Sequence, residues 1–401
     1  MTGQDSATAI RPPSFQDGGA AVFDWLRTMR GQHPVHRDQH GVWHLFRHAD
    51  VSRAINDPGM FSSDQSRVMP DAARWTRGNL NSIDPPAHRD LRRLVSQAFT
   101  PHVVDSLRPR IVRVCDDLLD GVADVDEWDV VDALARPLPV IVIAQLLGIP
   151  DSDRELLGTW SDRLLSTQLD YRSPAESAVV YERATQDLNQ YLLEHCRDRR
   201  RYPRDDLISN LVTAEAEGRR LADVEVINFA GLLLMAGHIS TTALLGNTVL
   251  CLQENPHAAE EVRADRDLVP ALIEEVLRYR SPFAMVGRFT TVDVHIGDQI
   301  VPAGSVVTPW LLSANHDERQ FEDPERFDLH RDPKPHLAFG HGVHFCLGAP
   351  LARLEARVAL AALLDRFADV RVAPGSELAF HEHSIFAAKS IPVTVRRETT
   401  R

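Results

Sequence analysis

A mainly α-helical chain with small β-sheets is the fold class this sequence predicts, and three observations predict it. Apolar residues recur at helical spacing through most of the chain. Strand-like alternation is confined to short stretches, and 25 prolines are spread between elements instead of gathering into a linker. With 401 residues, 43% of them hydrophobic and 25% charged, the chain can bury a large core and has the balance of a globular protein in water.

Residues 1–18, rich in Ser, Gly, Asp and Pro, read as a loose leader, and 19–401 as a single domain without internal repeats. VHRDQHGVWHLFR (35–47) predicts two short strands around a turn, and ADVSRAIND the helix after them. Ser62 to Ser82 lacks periodicity and predicts a long loop, which inside a compact domain points to function. Helical spacing then predicts helices over 86–99, 104–122, 130–147, 151–168, 175–200, 205–217, 223–253, 257–264 and 267–279. VHIGDQIVPAGSVVTPW (294–310) predicts strands with a turn at Ala303-Gly304, and a last long helix begins near Pro350. The stretch 226–252 has the length of a membrane span. His238, Ser240, Thr241, Thr242 and Asn247 interrupt it, which predicts a buried central helix of about 40 Å instead.

A formal net charge of −13 argues against nucleic acid or an anionic membrane as a partner. The N-terminus has no charged-then-apolar export pattern. Cys115, Cys196, Cys251 and Cys346 are far apart and form no C-x-x-C pair, so neither a disulfide framework nor a zinc ribbon follows. These features predict a reduced, cytoplasmic protein, monomeric for want of a self-complementary apolar face.

One cysteine has unusual surroundings. In HLAFGHGVHFCLGAPLA (336–352), Cys346 follows Gly340 and Gly342 and precedes Gly348 and Pro350. Glycines let the backbone approach a flat ligand, and Pro350 suits the first turn of a helix, whose N-terminus favours a negative sulfur. A metal-bound thiolate needs such N–H donors and shielding from oxidation. A buried small hydrophobe is the competing reading, and it holds for the other three cysteines.

The spaced set Phe339-Gly340-x-Gly342-x-His344-x-Cys346-x-Gly348 resembles the haem-ligand loop of the bacterial cytochrome P450 superfamily. The resemblance implies a fold with haem b between a long central distal helix and the helix after the cysteine, and Cys346 as the axial thiolate. Other marks follow in order. Glu275-x-x-Arg278 resembles the family's Glu-x-x-Arg helix, and DPERF offers Arg326 as the third member of a buried network. His88 and Arg92 in SIDPPAHRDLRRLVSQAFTP, Arg288 in RFTTVD, and His344 fall at positions the family uses for the haem propionates. For the pocket, the resemblance adds the segment around 163–182, Phe283 to Val286, and Ile385-Phe386 to the loop bearing Trp75 and Arg77. Trp75 reads equally as a stacking platform or as loop packing.

The oxygen side departs from the family pattern. AGHISTT gives Ala236-Gly237-His238-Ile239-Ser240-Thr241-Thr242, with Ile239 where the family has an acid and Ser240 at the alcohol position. Gly237 costs a helix about 1 kcal/mol against alanine, tolerable where the backbone opens beside oxygen. Ile239 cannot relay protons. Either Thr241 takes the alcohol role by a one-residue slip, or water, another route or a substrate group completes the relay. The resemblance implies a haem-thiolate monooxygenase that inserts one atom of O2 into a small to mid-sized organic substrate of secondary metabolism. Electrons would come from a separate ferredoxin and ferredoxin reductase, with Arg92, Arg93, Arg353 and Arg357 as a basic docking patch or an ordinary solvated face. An oxidative coupling or cyclising oxidase, and a haem-binding recruitment protein without turnover, are the alternatives.

Overall fold

The computed structural model describes residues 12–67, 78–153, 156–160, 174–216, 218–332, 335–381 and 384–397. Trp75, Arg77 and residues 161–173 lie outside them.

The central helix, Asp223–Glu254, organises the molecule. At about 1.5 Å per residue its 32 residues span about 48 Å. The Glu225 carboxylate accepts from the Ala222 backbone N–H at 2.9 Å and so caps its start. By length and composition this helix could cross a membrane. Here it runs through protein, packed by Pro137–Leu147, Pro174–Arg201, Val269–Tyr279 and Ala349–Arg366. Phe229, Ala230 and Cys251 are fully buried on it.

A five-stranded sheet has the order Val35–Arg37, Trp43–Leu45, Val306–Pro309, Arg288–Thr290, Phe61–Ser62. The Trp43–Leu45 and Val306–Pro309 pair is parallel, and the other pairs are antiparallel. A second sheet pairs Phe367–Val372 with Pro392–Arg397 and the latter with Glu127–Asp129.

Several elements differ from the sequence reading. The helix predicted over 104–122 is two, Pro101–Ser106 and Arg108–Asp120, because Pro109 restarts the chain at the first turn of the second. The helix over 130–147 opens as a π-turn, Val131–Ala135, before Pro137 begins the α-helix. The helix over 205–217 ends at Thr213, and Glu215–Ala216 pairs with Arg219–Arg220 as a ribbon. Ala303-Gly304 is not a hairpin turn. The hairpin closes at Gly297, with φ 59°, while Gly304 turns the chain into the five-stranded sheet.

Candidate active site

The Cys346 loop is built from backbone turns. Gly340 and Gly342 have φ of 68° and 67°, the left-handed region that glycine takes without strain. A Cβ at Gly342 would clash with Asn56 Oδ1, so that position also needs the close approach. Gly348 was expected to share this freedom and does not: at φ −83° it is the residue before the helix Ala349–Arg366. The Cys346 N–H donates to the Phe339 carbonyl at 2.9 Å, closing the loop. Burial pushes the Cys346 thiol up, while the Gly348 and Ala349 N–H groups and the Arg92 guanidinium act the other way. Cys115, Cys196 and Cys251 are fully buried, and burial pushes each thiol up to about 12. Phe339 is covered by the Arg353 guanidinium, 4.5 Å above its ring.

Four basic or imidazole groups gather beside this loop. His344 Nε2 lies 3.1 Å from Ser63 Oγ, and its ring centroid 4.4 Å from that of His88. Burial, then Arg288, His88 and Arg92, pulls His344 down to about 3. Burial also brings Arg288 down to about 10, with Asp84 acting against it. His88 is buried and its Nε2 has no protein partner. Such an arrangement is costly unless an anion joins it.

The Glu275–Arg278 pair is present, with both guanidinium contacts at 2.8 Å and both side chains at most 5% exposed. Arg326 is not its third member. The Arg326 side chain is exposed and contributes only its carbonyl, which accepts from Arg278 at 3.2 Å and from Arg331 at 2.7 Å. Arg331 Nε reaches Glu275 Oε1 at 3.2 Å and takes the place expected for Arg326. Sequence spacing missed it because a fixed motif position was followed in place of the next arginine, Arg331, five residues on.

On the central helix, Ala236 is exposed and Ser240 half-buried, one turn apart on a mostly buried stretch. The Ser240 hydroxyl donates to the Ala236 carbonyl at 2.8 Å. Thr241 is 2% exposed and its hydroxyl acts on the buried Glu355 carboxyl, so the one-residue slip puts that hydroxyl in the core. Gly237 does not open the helix. A Cβ there would sit 3.0 Å from Ile143, so the glycine serves packing. Glu355 escaped the sequence reading, although a lone acid inside LARLEARVALAALL is a legible signal. Burial pushes its carboxyl up to about 8, which keeps it neutral at neutral pH.

Phe283, Ile239, Ala243 and Ile385 form one apolar cluster beside Ser240, and Phe283 bridges to Ile385. Val286 is half-buried and packs instead against the cluster under the five-stranded sheet. Phe386 is fully buried, with Phe15 and Phe23 rings at 5.4 and 5.5 Å, which removes it from the pocket. Its strand-like alternation with Ile385 sends it to the opposite side.

The cytochrome P450 family model matches residues 20–393. This chain belongs to the cytochrome P450 family. The P450 is 51% identical over 370 residues to the cyclomarin C epoxidase CymV of Salinispora arenicola, covering 90% of this chain and 92% of that one. It is 47% identical to the erythromycin C-12 hydroxylase of Saccharopolyspora erythraea, covering 93% and 94%. The ligand-free structure of cytochrome P450 TbtJ1 superposes with a TM-score of 0.91 at 52% identity, covering 96% of this chain and 100% of that one. The open structure of EryK from S. erythraea gives 0.92 at 44%, covering 98% and 99%. The P450 is accordingly a monooxygenase, and its cofactor is protohaem IX carried on a cysteine thiolate.

The residues present fit that cofactor. Cys346 alone among the four cysteines has backbone N–H groups, those of Gly348 and Ala349, lowering its thiol alongside nearby arginines, and metal binding releases the thiol proton that burial otherwise retains. The uncompensated set of His88, Arg92, Arg288 and His344 suits a group bearing two carboxylates.

Proposed function

We propose that this chain, acting as one catalytic domain from residue 19 onward, hydroxylates or epoxidises a mid-sized product of secondary metabolism in the cytoplasm. Its relatives named for erythromycin and cyclomarin C support that substrate class. The single observation that carries the reading is Cys346, held before a helix start by Gly348 and Ala349 N–H groups, with four basic or imidazole groups gathered beside its loop. Cys346 would ligate the haem iron through its thiolate, Phe339 would shield the sulfur, and His88, Arg92, Arg288 and His344 would hold the haem carboxylates. Bound haem supplies the redox chemistry by which one atom of O2 enters the substrate while the other leaves as water.

The chain's own part is to orient the substrate and to manage protons. Phe283 and Ile385 form an apolar wall that excludes water from the reacting side. Ser240 Oγ, with its own proton on the Ala236 carbonyl, keeps its lone pairs available to accept one from solvent or substrate. Ile239 adds no acid, so the proton arrives through water or a substrate hydroxyl. Electrons come from a separate ferredoxin and its reductase, docking on the Cys346 side. Arg353 is not a free docking charge, because it is bidentate to Glu274 at 2.6 and 2.8 Å. Against the burial that would raise it, Arg353 and His336 hold the Glu274 carboxyl down at about 2.

The reading is tested by incubating the reduced system with candidate macrolides and cyclic peptides under isotopically heavy molecular oxygen. Product carrying one heavy oxygen supports it. Product with no added oxygen would replace it with oxidative coupling.

A further inference from the structure

Behind the central helix lies a cavity of about 200 Å³ that the reaction as described leaves without a task. Its apolar wall includes Ile239 and Ile385, the residues that also border the substrate side through Phe283. Its remaining wall carries Arg136, His238, His381 and Lys389, four basic side chains from three segments of the chain. Among the described residues no Asp or Glu lines it. Asp132 pairs Arg136 at 3.1 Å, but 63% of the Asp132 side chain is exposed on the outer surface. His238 is 4% exposed, and its Nδ1 has no hydrogen-bond partner.

We infer that this cavity is a carboxylate subsite, which takes the acid end of an arylalkyl or aliphatic carboxylate whose apolar body lies against Ile239 and Ile385. Deepening the monooxygenase reading, on which it rests, it assigns the substrate an acid group. A planar guanidinium matches two carboxylate oxygens, and a lysine adds a point charge. Burial, followed by Arg136 at His238 and by Lys389 and Arg136 at His381, lowers both imidazoles to about 4. At neutral pH each is uncharged and keeps one N–H to donate. A carboxylate therefore meets two cations and two neutral donors, and the His238 ring gains the partner it lacks.

The test uses the haem-loaded full chain and calorimetric titration with 4-phenylbutyrate and with its uncharged amide. The acid is expected to bind at least about tenfold more tightly than the amide, the discrimination that a charge-assisted hydrogen bond provides. The double variant Arg136→Gln, Lys389→Gln changes two solvent-touching side chains, and is expected to bring the acid down to the amide's affinity. Lys389 is one of two lysines in the chain, with Lys334. Bound acid should therefore slow amine acetylation at Lys389 but not at Lys334. Equal binding of acid and amide, no binding of either, or an acid preference that survives the double variant overturns the subsite. The carbon monoxide spectrum of the same sample separates the two readings. A thiolate band without acid preference refutes the subsite alone, and acid preference without that band refutes the haem assignment alone.

Discussion

At the residue scale, neighbouring hydroxyls on one helix have divergent tasks. Ser240 lies in line with exposed Ala236, whereas Thr241 is buried against Glu355. Ser240→Ala is expected to lower product formed per electron consumed, by up to about 100-fold if its oxygen is the main proton station, with folding intact. Thr241→Ala should instead leave the coupling ratio near wild type and cost about 1–3 kcal/mol by stripping a partner from a buried acid. Glu355 itself sets a pH dependence. Its folded pKa of about 8 lies above the ordinary 4.5, so the folded state binds the extra proton. Stability relative to Glu355→Gln should therefore fall as pH rises from about 4.5 to about 8 and then level off. Urea unfolding of both proteins across that range reads the difference, and a flat difference would show that Glu355 titrates normally.

At the scale of elements, the Glu-x-x-Arg helix is tied to the loop before Cys346 through Asn315, and to the segment around Arg326 through Arg331. Arg278 Nη1 donates to the Asn315 carbonyl at 2.9 Å, and the Asn315 side chain accepts from the Leu337 N–H at 2.7 Å. Removing one member of a buried charged network strands the others, at about 3–5 kcal/mol. Arg278→Ala should pay that in full, and Arg331→Ala a substantial part of it, since its side chain is 12% exposed. Arg326→Ala should stay within about 0.5 kcal/mol of wild type, as exposed substitutions do. If Arg326→Ala proved the more damaging of the two arginine variants by denaturant titration, the assignment of the third partner would be reversed. Phe386→Ala, in turn, should cost about 3–5 kcal/mol as a core truncation and leave the substrate-induced absorption shift unchanged.

Across the whole molecule, legibility in sequence followed whether a residue's task is fixed by local pattern. The Cys346 loop needs glycines at Gly340 and Gly342 for backbone reasons, so its spacing carries its geometry. The central helix is legible because apolar length without charge has few other fates. Long-range pairings were not. Arg331 against Glu275 joins residues 56 apart, and Glu355 against Thr241 and Pro392–Arg397 against Glu127–Asp129 join segments more than about a hundred residues apart. The basic face proposed for docking was legible only as composition. Of its four arginines, Arg353 is committed to Glu274, Arg92 acts on the Cys346 thiol, Arg93 pairs with Asp90 at 3.7 Å, and Arg357 is exposed. Arg357→Glu should therefore slow reduction by ferredoxin and weaken its salt dependence in stopped-flow traces, the behaviour of a rim charge that steers encounter.

Thiolate ligation by Cys346 is read from the optical spectrum of the reduced protein with carbon monoxide, for wild type and Cys346→Ser. Ligation by the Cys346 thiolate predicts a strongly red-shifted Soret band in wild type that is lost in the variant, whether haem remains bound or dissociates. A band typical of histidine-ligated haem in wild type, or a red-shifted band that persists in Cys346→Ser, would contradict it.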